Sequence, residues 1–189
     1  ICRLLISDEK NPKDYFEKIK KGLLKFSGGK RRSEIVGKGI TKNGDSIIVI
    51  DDYGHHPTAI KTTLDGYKQF YSNRKIIVDF MSHTYSRTQA LLEEFAYSFV
   101  SADVVILHKI YASARENKDD FTITGKTLFE KAKKYSKNVY YFEEIMDASS
   151  FVEEEIKQKN QNGYLFVTMG AGDNWKIGRY VVDNLIEKK

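Results

Sequence analysis

The chain has 189 residues, a formal charge of +5 and 41% hydrophobic residues, enough for one α/β domain with a core and part of a second domain. Its single cysteine, Cys2, excludes an intrachain disulfide and indicates a reducing compartment, so we expect a cytoplasmic protein. No apolar run reaches the length of a membrane-spanning helix, and the N-terminus lacks the layout of a signal peptide.

The excess of basic residues is spread over predicted helices and does not form a patch. The densest run, Lys18, Lys20 and Lys21, shares its helix with Asp14 and Glu17. Such a mixture is typical of a solvated helix face, and no motif of a single-strand RNA-binding module is present. We therefore expect neither a nucleic acid nor a membrane as a partner.

The first 29 residues are predicted to end one structural unit and to form a hinge. Residues 1–6 resemble the last turn of a helix, and Ser7 is expected to cap the next segment. The chain starts without Met, as a piece of a longer protein would. Apolar residues at helical spacing predict a helix over 12–26, and the Ser-Gly-Gly sequence over 27–29 predicts the hinge.

Strands and helices alternate from residue 30 onwards. Strands are predicted at 33–40, 46–50, 75–80, 103–108, 139–142 and 164–167, and helices at 57–72, 88–100, 124–135, 147–160 and 174–187. The turn signal over 42–45 predicts that the first two strands form an antiparallel hairpin. The later alternation is typical of βαβ units, so we expect an α/β fold with a Rossmann-like, mostly parallel sheet and helices on both faces.

Polar clusters follow four of the predicted strands. Because the carboxyl ends of parallel strands meet at one edge of a sheet, we expect these clusters to lie together where ligands bind in such folds. The clusters are Asp51, Asp52, Tyr53, His55 and His56; His83, Tyr85 and Arg87; Arg115 and Glu116; and Gly170, Gly172 and Asp173.

The first cluster has more than one interpretation. His55 and His56 are adjacent and do not easily reach one metal ion, and no third ligand has zinc-like spacing, so hydrogen bonding to a substrate is preferred over a metal site. Alternatively, one of the two caps the helix that begins at Pro57. One of Asp51 and Asp52 is expected to cap the turn, whereas the other is free to accept hydrogen bonds from ribose hydroxyls.

Other residues are candidates for anion contacts. Arg32 pairs with a phosphate or with one of the two acids, or it faces solvent. His83 and Arg87 precede a predicted helix and indicate a carboxylate site, with an ordinary capping loop as the alternative. The Gly-Ala-Gly-Asp sequence at 170–173 lacks the third glycine of a dinucleotide motif, but its backbone N–H groups favour an anion. His108 is interpreted as a histidine at the edge of the core.

Four segments together resemble the C-terminal domain of the Mur ligase family, in its alanine-adding branch. They are 52–58 (Asp-Tyr-Gly-His-His-Pro-Thr), 83–88 (His-Thr-Tyr-Ser-Arg-Thr), 113–117 (Ser-Ala-Arg-Glu-Asn) and 170–173. The resemblance covers residues 30–189 and implies that residues 1–29 are the tail of a central ATP-binding domain and the hinge. It implies an ATP-dependent ligase of peptidoglycan synthesis that uses Mg²⁺ and joins L-alanine to UDP-N-acetylmuramate through an acyl phosphate.

The resemblance also implies roles for individual residues. The alanine would be surrounded by Tyr53, His55, His83 and Arg87, with the last two on its carboxylate. ATP or its ribose would contact Arg32 and Asp52. The supporting loops would contain His56, Arg115, Gly170, Gly172 and Asp173.

Two positions depart from the family pattern, and part of the machinery is absent. Thr84 replaces an arginine, so the carboxylate clamp is expected to rest on Arg87, and Ala59 replaces an acid. The sequence contains no GxxxxGK[ST] phosphate-binding loop, which places the main ATP and Mg²⁺ contacts in the central domain and predicts an inactive domain.

Two alternatives to this function stay open. One is the related ligase that attaches a tripeptide to the same sugar, and the other is a standalone Rossmann-like ligand-binding module. The Ser-Ala-Arg-Glu-Asn sequence at 113–117 favours the alanine-adding branch.

Overall fold

The computed structural model describes residues 12–25 and 28–187. The helix end expected at 1–6, the cap expected at Ser7 and the first hinge residue, Ser27, lie outside this part of the chain. Helix α1 (Pro12–Lys25) comes before the predicted hinge. It leaves apolar side chains uncovered, including Leu23, which is 70% exposed, and Leu24, which is 78% exposed.

A six-stranded sheet forms the centre of the domain. Its strands are β1 (Glu34–Ile40), β2 (Ser46–Asp52), β3 (Lys75–Met81), β4 (Val104–Leu107), β5 (Val139–Tyr141) and β6 (Tyr164–Gly170). Their order across the sheet is β1-β2-β6-β3-β4-β5, with β1 antiparallel to β2 and every other pair parallel. The predicted hairpin and the predicted mostly parallel sheet are both confirmed.

Helices cover both faces of the sheet, as predicted. They are α2 (Pro57–Phe70), α3 (Tyr85–Ala90), α4 (Leu92–Tyr97), α5 (Gly125–Ala132), α6 (Ser149–Lys157) and α7 (Trp175–Asn184). Val78 and Phe80 of β3 belong to one core cluster, with residues of α2, α4 and α5, whereas Ile77 and Met81 belong to the opposite cluster, with residues of α6 and α7. Burial on both faces explains why the central strands are almost wholly apolar.

The predicted single helix over 88–100 is wrong in two respects. Helical structure already begins at Tyr85, because the side chain of Thr84 accepts a hydrogen bond from the backbone N–H of Arg87. It is then interrupted at Leu91, whose φ of −118° and ψ of 30° separate α3 from α4. The polar residues that predicted a loop here therefore form a helix cap and a first turn. β6 is also longer than predicted and includes Gly170.

Candidate functional site

All four predicted polar clusters contribute residues to the carboxyl edge of the sheet, the fourth through Glu116, which accepts hydrogen bonds from Tyr85 and Ser86. In the sheet register, Asp52 at the end of β2 lies beside Met169 of β6, and Met81 at the end of β3 lies beside Gly170. Gly170 has a φ of 125°, and a Cβ at this position would lie 2.4 Å from the carbonyl oxygen of Met81. Only glycine therefore allows β6 to end this close to β3.

The loops after β2 and β3 and the first turn of α3 form what we call the open basic cluster, Tyr53, His55, His83 and Arg87. The rings of Tyr53 and His55 pack edge to face with centroids 5.1 Å apart, and Nδ1 of His55 lies 3.0 Å from the carbonyl oxygen of Tyr53. Nη1 of Arg87 donates to the carbonyl oxygen of His83 at 2.7 Å. The part of the chain that the structure describes places no carboxylate in an ion pair with Arg87. Its charge therefore remains available to an anion.

His83 favours the neutral state. Burial lowers the pKa of His83, and the positive charges of Arg87 and His55 lower this pKa further, whereas the carboxylate of Glu116 acts in the opposite direction. The net shift is downward from 6.5, so the imidazole is uncharged at neutral pH. The ring of Tyr111 lies 5.7 Å from the His83 ring, centroid to centroid, and extends the cluster with an aromatic residue that the sequence motifs did not include.

A second group, which we call the hinge cluster, contains Arg31, Ser33, Asp51 and Asp52. Nε of Arg31 lies 2.8 Å from Oδ2 of Asp51, and Nη2 of Arg31 donates to the carbonyl oxygen of Gly170 at 2.9 Å. The other oxygen of Asp51 accepts a hydrogen bond from Thr168 at 2.8 Å. Asp51 is therefore a structural acid that joins Arg31, in the segment before β1, to the sheet edge.

The carboxylate of Asp52 is largely occupied by the chain itself. One oxygen accepts hydrogen bonds from the backbone N–H of Ser33 at 2.7 Å and from its hydroxyl at 3.2 Å. The other oxygen accepts from the backbone N–H of Gly54 at 2.7 Å. The expectation that one of the two acids caps the turn is confirmed, and the turn cap is Asp52. Since a carboxylate has about four acceptor positions, a contact with a ribose hydroxyl remains compatible with this geometry.

The acid-pairing arginine is Arg31, not Arg32. Arg32 is exposed, and its guanidinium carbon lies 5.6 Å from the centroid of the Tyr53 ring, while that of Arg31 lies 5.3 Å from the same ring. Tyr53, a member of the open basic cluster, therefore also contacts Arg31 of the hinge cluster. The run Lys30-Arg31-Arg32 contains no sequence signal for which cation turns inward.

The remaining predicted site residues lie outside these contacts. His56 is exposed, and its Nδ1 accepts a hydrogen bond from the backbone N–H of Thr58 at 3.3 Å, so the alternative that one histidine caps this helix is confirmed. Arg115 is exposed on the long loop after β4. Asp173 pairs with Lys176 at 2.7 Å on the surface of α7.

The glycines of the last loop serve the hinge cluster mainly through their carbonyl groups. Gly172 is buried, and its carbonyl oxygen lies 3.5 Å from Nη2 of Arg31, which also bonds to Gly170. The expected anion contact through backbone N–H groups stays a prediction.

A buried network underlies the edge. Nε2 of His108 lies 2.8 Å from Oδ2 of Asp79, and its Nδ1 lies 2.9 Å from the carbonyl oxygen of Phe142. Asn174 donates to the other oxygen of Asp79 at 3.1 Å and to the carbonyl oxygen of Met169 at 3.0 Å. Burial lowers the pKa of His108, but the charge and hydrogen bonds of Asp79 outweigh burial and raise it overall. Both ring nitrogens face acceptors, as an imidazolium requires.

No cluster of metal-ligating side chains is present in the described residues of this edge. Within residues 12–25 and 28–187, no three His, Cys, Asp or Glu side chains converge as metal ligands. The carboxylates of Asp51 and Asp52 already accept hydrogen bonds from the chain. Arg32 offers an exposed side chain beside the ring of Tyr53. No helix in the described ranges combines the length and apolar character needed to span a bilayer.

The sheet order and its helices define a Rossmann-like α/β domain whose carboxyl edge brings polar side chains together. The family model "Mur ligase, glutamate ligase domain" matches residues 31–172. The chain therefore belongs to the Mur ligase C-terminal domain family.

Curated relatives show which members of this family the chain resembles. The chain is 50% identical over 175 residues to the UDP-N-acetylmuramate–L-alanine ligase of Treponema pallidum. The aligned region covers 93% of this chain and 34% of that relative. It is 43% identical over 171 residues to the ligase of the same name from Borreliella burgdorferi, and the aligned region covers 90% of this chain and 34% of that relative. The chain thus spans about a third of the length of the curated relatives it matches.

Solved structures agree with this fold. The UDP-N-acetylmuramate-alanine ligase of Thermotoga maritima aligns with a TM-score of 0.65 at 25% identity, covering 96% of this chain and 34% of that one. A murein peptide ligase of Psychrobacter arcticus aligns with a TM-score of 0.60 at 23% identity. The alignment covers 89% of this chain and 33% of that one, and it shows the fold alone.

Proposed function

We propose that this chain is the C-terminal, amino-acid-binding domain of an ATP-dependent ligase that joins L-alanine to UDP-N-acetylmuramate. In the proposed reaction, ATP phosphorylates the muramoyl carboxylate and the alanine amine attacks the acyl phosphate, which gives an amide, ADP and phosphate. Residues 30–189 would form this domain, and residues 1–29 the tail of the central domain and the hinge. The names of the relatives support the reaction, and the open basic cluster is the observation that carries the binding role.

The alanine carboxylate would bind to Arg87 and His83. The guanidinium of Arg87 uses one N–H group on a backbone carbonyl and keeps others for a ligand. A charge-assisted hydrogen bond to a carboxylate is about twice as strong as a neutral one. Thr84 has no guanidinium group, and its hydroxyl caps α3. The clamp in this chain would therefore consist of one arginine and one neutral imidazole.

The rest of the cluster would position the amine and the methyl group. The neutral His83 is able to accept a hydrogen bond from the amine, which attacks only after it has lost its extra proton. Tyr53 and His55 would bound a small pocket for the methyl side chain. Because an apolar pocket discriminates weakly against small changes in a side chain, glycine and serine would compete with alanine.

The ATP contacts of this domain would come from Arg32 and Asp52. Arg32 has an exposed guanidinium, and Asp52 keeps unused acceptor capacity. The triphosphate and Mg²⁺ would be bound by the central domain, which this domain would contact when it closes. Closure would exclude water from the acyl phosphate. A reaction that consumes ATP and a nucleotide sugar fits the cytoplasm.

The test is phosphate release by the full-length enzyme that contains this chain. ATP and UDP-N-acetylmuramate are supplied with L-alanine, with the Ala-Glu-containing tripeptide, or with neither. Release that depends on alanine is the expected result. Release with the tripeptide alone would transfer the assignment to the peptide-adding relative, and no release with either amine would overturn the proposed reaction.

A further inference from the structure

Glu116 reaches from the long loop after β4 to the first turn of α3. Its two carboxylate oxygens accept hydrogen bonds from the backbone N–H groups of Tyr85 at 3.0 Å and Ser86 at 3.1 Å. The hydroxyl of Ser86 donates to the same carboxylate. Burial acts to raise the pKa of Glu116, but these hydrogen bonds outweigh burial and lower it, so the side chain is ionised at neutral pH.

The loop that carries Glu116 also packs on α3 through apolar contacts. The ring of Tyr85 stacks on that of Phe121 with centroids 5.8 Å apart, and Tyr85 shares a buried cluster with Ile110 and Ile123. Apolar packing therefore attaches the loop to the helix, and Glu116 adds the polar contacts to its first turn. That turn lies between His83 and Arg87, the two proposed ligands of the substrate carboxylate.

The N–H groups that begin α3 are consequently not free for a substrate. The sequence predicted a carboxylate site at His83 and Arg87, ahead of a helix expected to begin at residue 88. The helix begins at Tyr85, and its first N–H groups bond to the chain's own carboxylate. A substrate carboxylate must then be bound by the side chains of the open basic cluster. Their orientation depends on how the turn over 84–86 is held.

We infer that Glu116 is a positioning residue of the amino-acid site, because it holds the first turn of α3 so that His83 and Arg87 face one substrate carboxylate. This inference rests on the proposed function for its kinetic consequence. The coupling of Glu116 to the turn and to His83 stands independently of the reaction.

The charges that face His83 provide a second readout. Arg87 faces it from α3, His55 from the loop after β2 and Glu116 from the loop after β4, and the neutral ring of Tyr111 lies alongside. Among these groups only Glu116 raises the pKa of His83. Removing its charge should therefore lower this pKa further, a change that a merely structural loop contact would not produce.

Kinetics of the full-length enzyme test the positioning role. Loss of a charged hydrogen-bond acceptor in Glu116→Ala should raise the alanine KM about tenfold and leave the ATP KM unchanged. Glu116→Gln, which keeps one acceptor oxygen, should raise it by a smaller factor of about three. Asp120→Asn removes the same charge from an exposed position on the same loop and serves as the control. Equal increases in both KM values, or no increase in either, would overturn the inference.

Nuclear magnetic resonance on the 189-residue chain separates this inference from the proposed reaction. The pKa of His83 is measured by titration in the wild type, in Glu116→Gln and in Asp120→Asn. A lower pKa in Glu116→Gln only, with altered amide shifts over 84–87, is expected even if the enzyme does not use alanine. Unchanged titration and unchanged amide shifts in Glu116→Gln would refute the positioning role whatever the reaction is.

Discussion

Two histidines near the same sheet edge have opposite electrostatic environments. His108 is fully buried and ion-paired with Asp79, which raises its pKa overall. His83 is half-buried beside Arg87 and His55, and its pKa is lowered. The first is a closed network in which His108 is paired with Asp79. The second is an open cluster in which no carboxylate of the described residues forms an ion pair with Arg87.

This difference shows that the partners of a polar residue, and not its position at a strand end, determine its role. The network of Asp79, His108 and Asn174 uses its hydrogen-bonding groups to hold β3, β4 and the loop after β6 together. The open basic cluster contributes little to that framework and retains free donors. We therefore expect substitutions in the first region to change stability, and substitutions in the second to change binding.

The largest expected effect is on stability, from Asp79→Ala. This substitution removes one partner of a fully buried charge pair and leaves His108 without its carboxylate. Breaking such a pair costs about 3–5 kcal/mol of the free energy of unfolding. Urea unfolding measures this loss, with Asp119→Ala, an exposed acid, as a control that should change stability by less than about 0.5 kcal/mol. A loss below about 1 kcal/mol for Asp79→Ala would remove the distinction between the two regions.

The second effect is on binding, from Arg87→Ala. In the full-length enzyme the alanine KM should rise by about tenfold to a hundredfold, because a charge-assisted bond to a carboxylate is worth about 1.5–3 kcal/mol. The ATP KM should change little. Arg179→Ala, which removes an exposed arginine from α7, is the matched control. If Arg87→Ala raises the ATP KM and leaves the alanine KM unchanged, Arg87 does not belong to the amino-acid site.

The third effect is a pH dependence of opposite sign for the two histidines. The raised pKa of His108 gives a stability contribution that is present below pH 6.5 and is lost as the pH rises through the folded-state value. The lowered pKa of His83 reduces the free energy of unfolding as the pH falls below 6.5. As the pH falls from about 8 to about 5.5, the wild type should therefore lose stability relative to His83→Gln.

Chemical unfolding at several pH values measures this difference. A constant difference between wild type and His83→Gln across the range would contradict the lowered pKa.

The smallest effect concerns a third histidine, His56, which belongs to neither region. It caps α2 through one hydrogen bond to Thr58, so His56→Ala should cost about 0.5–1 kcal/mol of the free energy of unfolding. Thr62→Ala, on the exposed side of the same helix, distinguishes loss of the cap from a general change in α2. An equal cost for both would contradict the capping role.

The strand pattern was sufficient to predict the sheet, because buried parallel strands are continuous apolar runs and the turn at 42–45 marks the hairpin. It did not predict where α3 begins, because the cap at Thr84 is completed by Glu116, which comes from a distant loop after β4. The same limit applies to Arg31 and Asp79. Each of these residues bonds to partners that are distant in the sequence and that the folded sheet brings close. Neighbouring residues in the sequence carry no signal for such partners.

The central claim is that the open basic cluster binds the carboxylate of an amino acid, and L-alaninamide, which lacks that carboxylate, tests it most directly. Its KM is compared with that of L-alanine in the full-length wild type and in Arg87→Ala. We predict a penalty of about tenfold to a hundredfold for the amide in wild type, and a much smaller penalty in Arg87→Ala, since the two changes remove the same interaction. An equal penalty in both proteins would show that the carboxylate is bound elsewhere.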